Sequence, residues 1–231
     1  MPDRQQLLDL VASSPRAVAA HDKEGWIGLF GRDYLIEDPV GSRPVRGPSR
    51  DPISRFWDAF IAPNDIEFVV HQDYVDGLHV VRDVTIEITL PTGVQVVTPA
   101  HLRYEAARTG SGLEVRRMAA HWEPLPVYRQ LLHPGVAYLR SMGSMGGRML
   151  RHLGPVGTAA FVGAVRSVGE RGKQAVRDRL GGTVADLHQV IAAGEWVTAS
   201  GTVDGAPAAV FATVDRRTFA VTGCRVYTDL A

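Results

Sequence analysis

The spacing of apolar positions changes character along the chain. Up to about residue 60 it repeats at helical intervals. Leu7, Leu8 and Val11 share one face of a segment, 3–12, that Asp3 is placed to cap. "SSP" at 13–15 breaks or restarts that helix, because Ser14 suits a cap and Pro15 a first helical position. Asp22 then precedes a short run whose apolar side is Trp26, Ile27, Leu29 and Phe30. Within 46–60, Ile53, Phe56, Trp57 and Phe60 recur at i, i+3, i+4 and i+7. Between these helices, "LIEDPVG" (35–41) reads as a short apolar strand running into two carboxylates, a proline and a glycine.

Past "APND" the period becomes two. Segments 66–72, 78–90, 94–106 and 113–123 read as four strands, with "DG", "PTG" and "TGSG" as turns. Pro99 in the third strand implies an edge position or a bulge. Helices, one short strand, a helix and a meander predict an α+β fold, with helices packed on one face of a curved antiparallel sheet. "PLPVYRQLLHPG" (124–135) closes this unit, and 136–170 is Gly- and Met-rich with helical runs. A charged helix at 171–182 and three strands at 195–203, 208–215 and 219–229 follow. The tail thus repeats the helix-then-meander plan in shortened form. "RG" opens a helix at 46 and at 171, and each meander ends in an aromatic and an acid: Trp122 and Glu123, then Tyr227 and Asp229. The expected organisation is a first domain at 1–128, a helical connector at 129–170 and a smaller α+β unit at 171–231. That unit is read as a truncated repeat that packs on the first domain as an internal pseudo-dimer.

Composition narrows the function. The chain is 45% hydrophobic and 22% charged, with Lys+Arg and Asp+Glu at 25 each. That is globular composition, without the basic excess of a nucleic-acid binder or the polybasic run of a lipid binder. The single cysteine, Cys224, cannot form an internal disulfide. The polar N-terminus lacks a signal sequence, and no apolar window is long enough to span a membrane. A soluble, cytoplasmic protein is expected.

The stretch from "AAHDKEGWIGLFGRDYLIEDPVG" through "RGPSRDPISRFWDAF" to the closing "MAAHWE" resembles the ketosteroid isomerase-like branch of the nuclear transport factor 2-like (SnoaL-like) superfamily, over roughly residues 5–124. The resemblance implies a cone-shaped pocket between helices and a curved sheet. Its members include steroid isomerases, polyketide cyclases, dehydratases and epoxide hydrolases, besides binding and scaffold proteins. In the isomerases the Asp of the "EDP" turn moves a proton beside a ketone; here that residue is Asp38. A carboxylate in an apolar pocket is poorly solvated, which raises its proton affinity and suits it to this work. The family's two oxyanion donors, a first-helix Tyr and a strand Asp, correspond to about Ser14 and Ala100 here, so neither donor is present in kind.

The remaining candidates come from the residues themselves. Phe30, Trp57, Phe60, Met118 and Trp122 are expected to line an apolar pocket, or else to be ordinary core. Arg82 and Asp83 interrupt the apolar strand "VVRDVTI"; Arg82 is a replacement donor to a ligand oxygen or a salt-bridged arginine, and Asp83 a second acid. Glu37 should point away from Asp38 into solvent. His101 and His121 fall out of phase with Ala100 and Trp122, on the face where relatives dimerise. His71 and His79 are also on meander strands, none with metal-ligand spacing, and neither a metal nor a cofactor is expected. Gly143, Gly146 and Gly147 lack the ending of a phosphate loop, and Cys224 reads as a small core residue. Two functions follow: steroid isomerase-like proton transfer on a polycyclic lipophilic ketone with Asp38 as base, with polyketide-type cyclisation or dehydration as the next reaction, or a lipophilic-ligand-binding or scaffold module. The expected partners are a small lipophilic molecule and a second copy or internal pseudo-copy, not nucleic acid.

Overall fold

The computed structural model describes residues 3–110, 112–132 and 135–228 of the chain. Helix α1 (Arg4–Ala19) begins with a capping box in which the Gln6 side chain returns the bond to the Asp3 backbone. It does not break at 13–15. Pro15 lies inside the helix, and the carbonyls around it gain side-chain donors: Ser13 Oγ to Asp9 O at 2.8 Å and Arg16 Nε to Ala12 O at 3.2 Å. The reason is tertiary. Leu7, Val11, Ser14 and Val18 form one buried stripe, and burying it outweighs one lost backbone bond. Ser14 is therefore an inward-facing residue, not a cap.

Helix α2 (Lys23–Gly28) is capped by Asp22, whose carboxylate accepts from Gly25 N at 2.8 Å. Strands β1 (Phe30–Glu37) and β2 (Val45–Arg46) follow, then helix α3 (Asp51–Phe56), which continues as one π-helical turn, Trp57–Ile61. Strands β3 (Asp65–Asp76), β4 (His79–Thr89), β5 (Gln95–Thr109) and β6 (Gly112–His121) form the meander. The sheet runs β2-β1-β6-β5-β4-β3, with β1 parallel to β6. Its inner face packs on the first three helices through Leu7, Val11, Trp26, Phe56, Val84 and Leu102. Strands β3 and β5 run longer than their sequence pattern shows, and Pro99 sits in an interior strand. It costs no ladder bond: β5 pairs with β6 only from His101 onward, and the neighbouring Val97 N–H, on the same strand edge, donates to Gln130 instead.

Helix α4 (Pro124–Leu131) leads to a long helix, α5 (Val136–Gly163), which bends at Gly154 (φ +70°) just before Pro155. Helix α6 (Gly169–Leu180) precedes a second sheet of four strands: β7 (Ala185–Ala193), β8 (Trp196–Val203), β9 (Ala206–Val214) and β10 (Val221–Thr228). This is one strand more than the sequence pattern predicts. Strand β7 carries two register shifts, and Asp186 and Gln189 have φ of 51° and 47°, which hides the alternation. One face of the second sheet packs on α6 through Val176, Leu180, Val197 and Val210. The other lies against the outer face of the first sheet. Cys224 is on β10 but exposed, because β10 is the edge strand of its sheet and pairs only with β9. Asp229, the acid that ends the second meander in sequence, lies outside the described residues. No helix among the described residues is long and apolar enough to cross a membrane.

Candidate functional site

Alternation along the meander aims Ile86 and Ile88 (β4), Thr98, Leu102 and Tyr104 (β5), and Met118 and Ala120 (β6) into the space beneath the helices. They enclose, with Trp122 beyond β6, a largely apolar chamber of about 150 Å³. Ser14, Trp26, Phe56 and Phe60 close it from the helical side. Phe161 of α5 stacks on Phe60 with ring centres 4.7 Å apart and forms part of the lid, together with Met145.

Asp38 is the first residue after β1. The parallel pairing of Glu37 with Ala119 fixes where that strand stops, and Val40 N donates to Ala120 O at 2.9 Å just past the turn. The Asp38 carboxylate therefore lines the chamber. Trp122 Nε1 donates to its Oδ1 at 2.6 Å. Burial raises the carboxyl pKa from 3.8 to about 6, against the smaller opposing pull of the Trp122 bond. A carboxylate of that basicity is ionised at neutral pH and still holds a proton well.

The sequence has no tyrosine at the family's donor position, but Tyr104 occupies the chamber from a different element. It is 2% exposed, and burial raises its pKa, partly offset by a side-chain hydrogen bond with Ser14; Asp38 acts on it electrostatically. The Ser14 hydroxyl also accepts from Trp26 Nε1 at 3.0 Å. A neutral phenol lining the chamber has an O–H that can donate to a ligand oxygen. Tyr104 is legible as one more inward position in the series 98, 100, 102, 104. Matching the family's motif positions alone passes over it. Asn64 adds a further polar group: its Nδ2 donates to Phe60 O at 2.7 Å, and its buried Oδ1 has no hydrogen-bond partner among the described residues.

The chamber gathers Asp38, Ser14, Phe60, Met118 and Trp122, and leaves out the other expected residues. Phe30 and Trp57 pack behind Trp26, at ring-centre distances of 4.8 and 5.5 Å, and support the wall without forming it. Ala100 is buried on the inner face but too small to reach the cavity. Arg82 is inward in phase yet spent on a bidentate pair with its cross-strand neighbour Asp73, at 2.7 and 3.0 Å. Asp83 points to the outer face, where Gln189 and Ser200 of the second sheet donate to it. Glu37 does lie opposite Asp38, but it accepts from Arg117 at 2.9 and 2.6 Å instead of facing solvent.

The outer face is a different environment. His101 bonds Thr198 Oγ1 through Nδ1 at 2.8 Å and Ser200 Oγ through Nε2 at 3.0 Å. Burial lowers its pKa to about 4 despite nearby Asp83. His121 lies edge-on to Phe211 and Trp196, and Arg103 stacks over Trp196 at 5.1 Å. Ser, His and Asp meet here, but all three are buried between two sheets, and their polar atoms bond one another and the facing strands.

A second cavity, an open cleft of about 790 Å³, adjoins the chamber. Asp38, Phe56, Phe60 and Phe161 line both. Its outer walls carry Arg43, Arg46, Arg55, Arg151 and His152.

Residues 11–123 match the SnoaL-like domain family. Among solved structures, the chain is similar to a Δ5-3-ketosteroid isomerase from Mycobacterium sp., at 22% identity over 52% of this chain and 95% of that one, with a TM-score of 0.47. It is likewise similar to a putative SnoaL-like polyketide cyclase from Shewanella putrefaciens, at 19% identity over 58% and 99%, TM-score 0.49. An M. tuberculosis LEH-like epoxide hydrolase shares 16% identity over 62% and 97%, TM-score 0.47. No curated protein matches the sequence.

Proposed function

Because residues 11–123 belong to the SnoaL-like family of the nuclear transport factor 2-like superfamily, we propose that this chain is a proton-transfer enzyme acting on a lipophilic ketone, with Asp38 as the base and Tyr104 as the oxyanion donor. One observation carries the reading. A carboxylate with pKa about 6 and a buried neutral phenol face the same apolar chamber. In a β,γ-unsaturated ketone, Asp38 takes the proton between the carbonyl and the alkene. The C–H electron pair moves into the carbonyl, and the Tyr104 hydroxyl donates to the enolate oxygen that forms. Asp38 then returns the same proton at the γ carbon, and the product is the conjugated enone. Atoms and charge balance without a co-reactant. The apolar wall keeps water from competing for the proton, and Trp122 holds the carboxylate in place. Ser14 supports the tyrosine and does not itself replace the family's donor.

A chamber of about 150 Å³ accommodates roughly a single six-membered ring. The reacting ring enters, and the rest of a larger ligand extends toward the cleft. We also read the second sheet as a truncated counterpart of the first that covers its outer face. The test is conversion of a β,γ-unsaturated cyclic ketone, followed by the absorbance of the conjugated product. Turnover by the wild type that is lost in Asp38→Asn, with binding of a phenolic analogue retained, supports the enzyme. Analogue binding without turnover of any ketone tried would replace it with a lipophilic-ligand-binding role.

A further inference from the structure

We infer that the natural ligand is amphipathic, with an anionic substituent that sits on the arginine-walled cleft while its apolar ring reaches Asp38. The inference rests on the lipophilic-chamber reading and adds the charge of the ligand. Its basis is what the cleft walls lack. Arg43, Arg46, Arg55 and Arg151 come from separate elements and loops, yet converge on one opening. None of the four side chains has a hydrogen bond or ion pair among the described residues. By contrast, Arg82, Arg117 and Arg225 each hold a carboxylate at 3.0 Å or less. The sequence supplies no counter-charge from the lid either: 124–169 contains no Asp or Glu, but has arginines at 129, 140, 148, 151 and 166. Among the described residues Asp38 is the sole carboxylate on the cleft wall, and Trp122 already holds it.

Four like charges around one opening repel each other unless something negative lies between them. Guanidinium groups recognise oxyanions through paired donors, so carboxylate and phosphate share the chemistry required. The dimensions agree. The chamber, at about 150 Å³, takes only the head of a polycyclic molecule, and the cleft, at about 790 Å³, has room for the remainder and its substituent. The order of groups along the ligand follows: reacting ketone ring, apolar body, anion.

The experiment compares three phenolic steroids that differ only at the end remote from the phenol: a carboxylate, its neutral methyl ester and a phosphate monoester. Equilibrium binding to the wild-type chain is measured at low and at high salt, by quenching of tryptophan fluorescence. The expected result is a carboxylate about tenfold tighter than its ester at low salt, an advantage that shrinks as salt screens the exposed arginines. A phosphate tighter than the carboxylate assigns the site to phosphoryl groups, and the reverse order to carboxylates. In Arg43→Gln/Arg151→Gln the advantage of the anion over the ester should disappear. Both side chains are exposed, so the fold should survive, and circular dichroism checks that it does. Equal binding of ester and anions, with no change in the double variant, would overturn the anionic ligand and leave the lipophilic chamber standing. Failure of all three to bind would overturn the chamber reading itself.

Discussion

Two buried acids of the first sheet, one on each face, are held in opposite ways. On the inner face Asp38 keeps one bond, from Trp122, and otherwise looks onto an apolar chamber. On the outer face Asp83 is fully engaged by Gln189 and Ser200, and His101 by Thr198 and Ser200. An under-satisfied carboxylate is costly to the fold but available for chemistry. A saturated one adds specificity to an interface and has no capacity left to react. Had composition alone been the guide, the buried Asp, His and Ser would look like the active centre. The hydrogen bonds that already engage them argue otherwise.

This contrast can be broken by substitution, starting where the largest effect is expected. Asp38→Asn should lower proton-transfer turnover by about 10²–10⁴-fold, as measured by steady-state rates. Tyr104→Phe should lower it by about 10²–10³-fold, because the enolate loses a donor. A fall in affinity with an unchanged turnover number would instead make Tyr104 a binding residue. On the outer face, Ser200→Ala should leave turnover unchanged but destabilise the chain by about 1–3 kcal/mol in urea unfolding, since Asp83 and His101 lose a shared partner.

The pH responses of the two faces should oppose each other. Asp38 is more basic folded than unfolded, so its contribution to stability is present in full below pH 3.8 and is lost as pH rises through about 6. Asp38→Asn should therefore gain stability over wild type at pH 8, by up to about 3 kcal/mol, and not at pH 3. His101, with its pKa lowered from 6.5 to about 4, does the reverse: stability present above 6.5 is lost as pH falls toward 4. The activity profile should rise with pH around 6 as Asp38 ionises. The smallest expected effect is a shift in that midpoint. Trp122→Phe removes the bond that lowers the Asp38 pKa, so the rise should move to higher pH. An unmoved midpoint would mean that Asp38 is not the group being read.

Much of the fold is visible in the apolar spacing, because period-two alternation survives wherever a strand is regular. The four meander strands and the inward set around Ile86, Leu102 and Met118 follow from it directly. Strand β7 is not visible, because two bulges spoil its alternation. Pro15 reads as a break because local propensity opposes a helix there, and only the buried stripe around it overrides that preference. At the site, Asp38 can be found from its turn. Alternation shows that Tyr104 points inward, but only the three-dimensional neighbourhood distinguishes it from a core tyrosine. Arg82 and Asp83 show the converse: adjacent in sequence, they point to opposite faces, and each is paired by a residue that no local pattern identifies.

The cover over the outer face belongs to the same chain, and that changes how it responds to concentration. Gly41 of the Asp38 turn packs directly on Gly194 of the second sheet; a Cβ on Gly41 would lie 2.9 Å from the Gly194 Cα. A partner in a dimer leaves on dilution, whereas a tethered one is held at an effective concentration set by its connector. The turn that presents Asp38 is thus buttressed by a unimolecular contact. Its geometry should be the same in a dilute assay as in a concentrated one.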